Sequence, residues 1–162
     1  MGPVPENQAR MLTAEEKSEI DHEITQFPAR RSACLGALAI VQKHRGWVSD
    51  EALGAIAEYV DMSATELDGI ATFYNLIYRK PVGKKVVRIC DSVSCFMMGY
   101  DKVRERIEQE LGIKLGQTTP DQEFTLLPTP CLGTCDRAPA LMINDDLFRD
   151  LNPDRAIKIL RQ

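Results

Sequence analysis

The first half of the chain carries the pattern of short amphipathic helices. Thr13 with Glu16, and Ser63 with Glu66, have the capping-box spacing that starts a helix. Apolar residues then recur three and four positions apart, without the alternation typical of strands. The pattern predicts a small bundle of four helices, over Ala14 to Gln26, Arg31 to His44, Asp50 to Val60 and 64 to 72.

The second half changes to strand-like segments after the turn-rich sequence Arg79–Gly83. A strand, a helix and a second strand in succession predict a parallel pair joined by a crossover, and the hairpin that follows adds antiparallel strands. The predicted class is α/β, with a four-stranded mixed sheet flanked by two helices. The strands are expected at Lys85 to Cys90, Glu123 to Pro128, Ala140 to Ile143 and Leu147 to Phe148, and the helices at Phe96 to Leu111 and Asp154 to Leu160.

These two patterns divide the chain into two expected domains. Residues 1–80 would hold a loose N-terminal arm, residues 1–12, and the helical bundle, while residues 81–162 would hold the sheet. The charges divide unevenly, because the first part has 8 basic and 12 acidic residues and the second has 12 of each. The acidic excess therefore belongs to the helical part.

The composition excludes several classes of protein. The 162 residues are 44% hydrophobic and 27% charged, which is typical of a globular protein rather than a disordered or collagen-like chain. The net charge of −4 argues against a nucleic-acid binder. Charged residues interrupt every apolar stretch before it reaches the ~18 residues of a membrane span. Residues 1–8 lack the pattern of a secretory signal.

Four of the five cysteines form two close pairs, Cys90-x4-Cys95 and Cys131-x3-Cys135. Each pair follows the predicted end of a strand. If these strands are parallel neighbours, their carboxyl ends lie at the same edge of the sheet, and the four thiols converge on one centre. The spacing therefore predicts a metal centre with four cysteine ligands. Cys34 lies on the apolar face of the second helix and is interpreted as a buried core thiol.

The spacing alone leaves the identity of this centre open. A structural zinc ion and an iron–sulfur cluster both accept four thiolates at such spacings. Two disulfides would suit a secreted protein, which the N-terminal sequence does not indicate. A thioredoxin-type redox pair would need Cys-x-x-Cys, which neither loop contains.

The residues around the pairs favour a negatively charged centre. Their short loops contain hydroxyl groups and Gly133, and can aim N–H groups at sulfur. Cys95 stands immediately before the predicted helix, where free N–H groups and the helix dipole favour negative charge. We expect Met97 and Met98 to form an apolar shield that limits the access of water to the centre.

The residues around the cysteines also resemble a known family. The segments Cys90–Cys95 (CDSVSC) and Pro130–Pro139 (PCLGTCDRAP) are similar to those of the small [2Fe–2S] subunit of NADH:quinone oxidoreductase, respiratory complex I. The segments Gly46–Val48, Ala71–Tyr74 and Lys80–Lys84 extend the resemblance, which covers residues 14–161. It implies a thioredoxin-like domain preceded by a helical bundle.

The resemblance implies a cofactor, its ligands and partners. One [2Fe–2S] cluster would be bound by Cys90, Cys95, Cys131 and Cys135, and the chain would have no catalytic residue. In such proteins the cluster exchanges one electron with the FMN of a larger subunit that also binds NADH, so the chain is not active alone. The implied partners are that flavin-bearing subunit and other peripheral-arm subunits, on the cytoplasmic or mitochondrial matrix side, with no nucleic acid and no direct membrane insertion.

Two alternative functions are kept open. The same fold serves as the diaphorase subunit of NAD-dependent hydrogenases and formate dehydrogenases, and a zinc-stapled interaction module would use the same cysteines. The chain has no glycine loop for phosphates and no paired acid and base, so we do not expect it to bind NADH or FMN alone. The helical half is expected to dock on the flavin-bearing subunit, although Phe73 and Tyr74 are interpreted as local core.

Overall fold

The computed structural model describes residues 11–161, which divide into two compact units between Pro81 and Val82. Each unit has its own cluster of buried hydrophobic residues, and the two clusters share no residue. Most of the predicted N-terminal arm lies outside the described residues. Leu12, at its end, packs into the helical core, so the prediction of a loose arm is wrong there.

The described part of the first unit contains helices and no strand. Both predicted capping boxes are confirmed: the Thr13 hydroxyl accepts the Glu16 N–H while the Glu16 carboxylate accepts the Thr13 N–H, and Ser63 and Glu66 do the same. Gly46 ends the second helix in the left-handed conformation, with φ +83°. The elements are α1 (Ala14–Ile24), a 3-10 turn (Arg30–Ala33), α2 (Cys34–Arg45), α3 (Asp50–Tyr59) and α4 (Ala64–Phe73).

The helical core consists mainly of aliphatic side chains such as Leu38 and Ile56, both fully buried. It also contains a buried charge. Glu16 is 1% exposed, and its two carboxylate oxygens accept hydrogen bonds from Arg45 at 2.6 and 2.7 Å. Since a buried carboxylate requires such a partner, this ion pair ties α1 to α2. Cys34, predicted to be buried, is only half-buried because it lies in the first turn of α2.

A mixed sheet forms the centre of the second unit. Its strands are β1 (Lys85–Cys90), β2 (Gln117–Thr118), β3 (Phe124–Thr129), β4 (Leu141–Ile143) and β5 (Asp146–Phe148). Their order is β2-β3-β1-β4-β5, with β1 and β3 parallel and the other neighbours antiparallel. The predicted α/β class is confirmed, but the sheet has five strands and not four. β2 has only two residues, both polar, and therefore no hydrophobic alternation that would reveal it.

The helices of the second unit are α5 (Val93–Met97), α6 (Tyr100–Leu111) and α7 (Pro153–Leu160). The single helix predicted from Phe96 to Leu111 is wrong, because Gly99 takes a left-handed conformation (φ +102°) and separates α5 from α6. Side chains of α6 and α7 pack against Val87 and Ile89 of β1 and form the core of this unit with them. Within residues 11–161, no helix is long and apolar enough to cross a membrane.

Candidate metal centre

The two strands that precede the cysteine pairs end at the same edge of the sheet. β1 and β3 run parallel, with Lys85 opposite Phe124 at one end and Cys90 opposite Thr129 at the other. Cys90 is the last residue of β1, and Cys131 follows β3 by two residues. The predicted parallel pairing is therefore confirmed, and it brings the starts of both cysteine loops to one edge.

Cys90 and Cys95 form an inner pair, with only 2% and 3% of their surfaces exposed. The Cys90 thiol lies close enough to that of Cys95 to raise its pKa. The backbone of Ala140 lies beside both residues, since its carbonyl accepts the Cys90 N–H at 3.1 Å and it also acts to lower the pKa of Cys95. Cys95 lies inside α5 and not before a helix, as the sequence predicted. A helix of five residues supplies little dipole, so these individual contacts matter more.

Cys131 and Cys135 form an exposed outer pair, with their Sγ atoms 3.2 Å apart. The loop between them turns at Gly133, which has φ +74° and donates its N–H to Cys131 Sγ, with N and Sγ 3.3 Å apart. Glycine adopts this left-handed conformation without a steric penalty. The hydroxyl group of Ser94, in α5, lies close enough to Cys135 to act against the rise of its pKa. Each outer sulfur therefore has a polar group of the site beside it.

The thiols differ in how readily they ionise. Burial, followed by the hydrogen bond with Cys90, raises the pKa of Cys95 to about 11. The Gly133 N–H, followed by the hydrogen bond with Cys135, holds the pKa of Cys131 below its ordinary value, and the hydrogen bond with Cys131 raises the pKa of Cys135. Cys131 is therefore the thiol of these three whose thiolate the protein favours. Charges on Cys90 and Cys135 also raise the pKa of Cys95, so the two pairs lie within electrostatic reach of each other.

A sequence profile of the thioredoxin-like [2Fe–2S] ferredoxins matches residues 20–162. The chain belongs to this family. Among its relatives, a subunit of the NADH-quinone oxidoreductase of Pseudomonas aeruginosa is 49% identical over 150 residues, which cover 93% of this chain and 90% of the relative. The corresponding subunit of Escherichia coli K12 is 46% identical over 158 residues, which cover 98% of this chain and 95% of the relative. The family predicted from the cysteine segments is confirmed.

A solved structure also shares the fold of this ferredoxin-family chain. The NAD⁺-reducing [NiFe]-hydrogenase in its air-oxidized state superposes with a TM-score of 0.68 and 23% identity. The superposition covers 80% of this chain and 22% of the hydrogenase chain. The likeness therefore concerns the fold, which forms a minor part of that longer chain.

The thiols of this ferredoxin-family chain fit a cluster of two metal ions. A zinc site needs three or four protein ligands around one ion, whereas a [2Fe–2S] cluster takes two protein ligands on each iron. Two thiol pairs match the second arrangement. All five cysteines are free thiols in this structure.

The sequence did not predict several features of the cysteine site. Ala140 lies far along the chain from Cys95 and reaches it only because β4 pairs with β1. Met97 and Met98 do not shield the centre as predicted, because they are 76% and 63% exposed. They line an open depression of about 340 Å³ together with Val93, Ser94 and Cys135.

Proposed function

We propose that this chain is the electron-transfer subunit of NADH:quinone oxidoreductase and carries one [2Fe–2S] cluster. The observation that carries the proposal is the meeting of two thiol pairs at one edge of the sheet. It occurs in a chain that is 49% and 46% identical to two NADH-quinone oxidoreductase subunits of similar length. Cys90 and Cys95 would bind one iron, and Cys131 and Cys135 the other.

The residues of the chain would hold the sulfur atoms and stabilise their negative charge. A bound [2Fe–2S] cluster supplies one-electron chemistry, which needs no general acid, base or nucleophile from the protein. Two ferric ions, two sulfides and four thiolates sum to a negative charge that grows on reduction. The Gly133 N–H bonds to Cys131, and the polar groups of Ser94 and Ala140 lie beside Cys135 and Cys95; their attraction for the sulfur atoms would strengthen as that charge grows and would favour the reduced state.

The two cysteine pairs differ in exposure, so one side of the site is open to a partner and the other is not. The inner pair, Cys90 and Cys95, belongs to the hydrophobic core of its unit and excludes water. The outer pair, Cys131 and Cys135, is exposed. A redox partner would therefore approach from the side of the outer pair.

The proposed partner is a subunit that holds FMN and binds NADH. Since this chain has no phosphate-binding glycine loop, hydride transfer from NADH would take place on the partner. The helical unit would contribute to docking, because Phe73 is 80% exposed and Tyr74 44%, so their interpretation as local core is wrong. Through the complex the chain would be held at the membrane, on its cytoplasmic or mitochondrial matrix side.

A diaphorase subunit of an NAD-dependent hydrogenase is the second candidate function. The fold shared with the NAD⁺-reducing hydrogenase favours it, but at 23% identity this likeness concerns the fold alone. A zinc-stapled module has less support, because the chain belongs to a family of [2Fe–2S] ferredoxins.

The experiment is to follow the visible absorption of the full-length, cluster-loaded chain while NADH is added. NADH should bleach the cluster when the flavin-bearing subunit is present, and dithionite should bleach it without that subunit. Bleaching of the chain alone by NADH would contradict a dependent electron-transfer role. Identification of the co-purifying subunits separates the quinone-linked complex from a hydrogenase.

A further inference from the structure

An ion pair fastens the end of the outer cysteine loop to the segment that precedes α7. Arg137 ends a 3-10 turn that begins at Cys135, and Asp150 lies 13 residues further along the chain. The Arg137 Nε and Nη2 atoms both donate to Asp150 Oδ2, the first at 2.9 Å. In return, the Asp150 N–H donates to the Arg137 carbonyl at 2.8 Å. Side chain and backbone therefore join the same two residues, and this fixes where the loop ends.

Neighbouring hydrogen bonds anchor the ion pair on both sides. Leu151, which is 6% exposed and belongs to the core, donates its N–H to the Pro139 carbonyl at 3.1 Å. The Arg137 N–H donates to the Thr134 carbonyl at 3.0 Å and closes the turn that contains Cys135. The position of the Cys135 sulfur therefore depends on where Arg137 is held.

The backbone of Asp150 is also held in an uncommon conformation. Its φ is +51°, in the left-handed region that aspartate and asparagine adopt more readily than most residues. Because its side chains are 51% and 41% exposed, the ion pair contributes little to global stability, and its effect is expected at the loop itself. We propose that Arg137 and Asp150, the loop clamp, are positioning residues that hold the outer cysteine loop around the cluster, an inference that rests on the proposed function.

The loop clamp also keeps the charge beside the cluster balanced. Two residues of a 3-10 turn span about 4 Å, so the clamp begins within a Debye length, about 8 Å at physiological salt, of Cys135. While the pair is closed, the Asp150 carboxylate offsets the Arg137 guanidinium. Removing one partner leaves the other charge uncompensated next to a negatively charged cluster. The two removals should therefore shift the reduction potential in opposite directions.

The first measurement is the reduction potential of the full-length, cluster-loaded chain, by redox titration followed by electron paramagnetic resonance. Asp150→Asn tolerates the same backbone conformation and leaves a positive charge, so the potential should rise. Arg137→Gln leaves a negative charge, so the potential should fall. The double variant should return close to the wild type. A merely structural role would move both single variants in the same direction or leave both unchanged.

The second measurement is the rate at which an iron chelator bleaches the visible absorption of the same proteins. Either single variant opens the loop clamp, so each should lose its cluster about threefold faster than the wild type, a factor typical of an exposed ion pair. The double variant should lose its cluster as fast, although its potential is restored. Circular dichroism of the cluster-free chains should be unchanged, since Arg137 and Asp150 are both exposed.

The ion pair of Lys84 with Glu123 is the matched control. Lys84 Nζ and Glu123 Oε2 are 3.0 Å apart, and the two residues directly precede β1 and β3. They therefore lie at the opposite end of the parallel pair from the cysteines, about 20 Å of strand away from Cys90. Glu123→Gln and Lys84→Gln make the same changes of charge and should leave both the potential and the rate of cluster loss unchanged.

The outcomes distinguish the loop clamp from the proposed function. A wild-type rate of cluster loss in either single variant, or potentials that do not shift in opposite directions, would overturn the loop clamp and leave the proposed function standing. Equal effects in the variants of Lys84 and Glu123 would also overturn it. A wild-type chain that contains no iron and no acid-labile sulfide would overturn both.

Discussion

The backbone N–H of Gly133 points at the sulfur of Cys131, and the left-handed conformation of the glycine aims it there. Gly133→Ala should therefore lower the reduction potential of the bound cluster. A Cβ atom at this position would meet nothing within 4 Å, so the change acts through the backbone alone. An alanine in this conformation costs about 1–2 kcal/mol, and a loop that relaxes turns the N–H away from the sulfur. Redox titration followed by electron paramagnetic resonance measures the potential.

Gly116→Ala is the matched control for this change. Gly116 has φ +84°, and a Cβ there would also meet nothing within 4 Å, but it lies outside the cysteine loops. It should cost similar stability and leave the potential unchanged. A Gly133→Ala protein with the wild-type potential, despite that loss of stability, would show that this hydrogen bond does not tune the cluster.

Ser94 offers a second, side-chain test of the same electrostatics. Its hydroxyl acts to lower the pKa of Cys135, so Ser94→Ala should lower the potential, by about 40 mV for each kcal/mol by which the hydroxyl stabilises the reduced cluster more than the oxidised one. Ser94→Asp should lower it further, because it adds a negative charge beside the cluster. Ser92→Ala is the control, since the Ser92 side chain makes no capping hydrogen bond. A raised potential in Ser94→Asp with an intact cluster would contradict this reasoning.

The features predicted correctly from the sequence are those that depend on neighbours in the chain. The capping boxes at Thr13 and Ser63 need only residues three positions apart. The parallel pairing of β1 with β3 follows from a strand, a helix and a strand in succession, and it places Cys90 and Cys131 at one edge. The ligand candidates could therefore be named from the sequence.

The features that the sequence did not reveal depend on tertiary contacts. Ala140 lies beside Cys90 and Cys95 only because β4 pairs with β1. β2 forms because two polar residues pair with β3. Polar residues give no hydrophobic pattern from which the strand could be predicted. Met97 and Phe73 are apolar residues on short helices, and composition alone suggests that they are buried. Their exposure is visible only once the fold is known, and it indicates surfaces that a partner covers.

The buried ion pair between Glu16 and Arg45 predicts how stability depends on pH. Burial opposes ionisation of Glu16, but the hydrogen bonds from Arg45 and from the Thr13 N–H outweigh it and hold its pKa below the ordinary value. A carboxylate whose pKa is lower in the folded state stabilises the protein above its unfolded pKa of about 4.3. This stabilisation is lost as the pH falls through the folded-state pKa, so the free energy of unfolding should decrease below about pH 5.

Glu16→Gln should lower the free energy of unfolding by about 3 kcal/mol at neutral pH, because it removes the buried carboxylate that pairs with Arg45. The free energy of unfolding of this variant should also decrease less at acid pH than that of the wild type. Glu66→Gln changes the same position of the exposed capping box, where the Glu66 side chain is 55% exposed, and should cost less than about 1 kcal/mol. Urea unfolding between acid and neutral pH measures both variants. Equal losses in the two would contradict a special role of the buried pair.

The division between the two units predicts that residues 82–162 alone assemble the cluster. All four candidate ligands and a separate hydrophobic core lie after Pro81. A domain of about 80 residues has a limited core, so the fragment should be less stable than the full chain. It should show the visible spectrum of the full chain but bind the flavin-bearing subunit more weakly. If the fragment bound the flavin-bearing subunit as tightly as the full chain does, the helical unit would have no docking role. A fragment that folds but stays colourless would show that residues 82–162 do not assemble the cluster alone.

The central claim is that Cys90, Cys95, Cys131 and Cys135 hold one [2Fe–2S] cluster, and the most direct measurement is the iron and acid-labile sulfide content of each cysteine-to-serine variant. The wild type should contain about two iron and two sulfide per chain. Serine at any of the four positions should lower both values, because an alkoxide is a poorer iron ligand than a thiolate. Cys34→Ser, the matched control, should keep the full content. A full cluster in Cys131→Ser, or one zinc and no iron in the wild type, would contradict the claim.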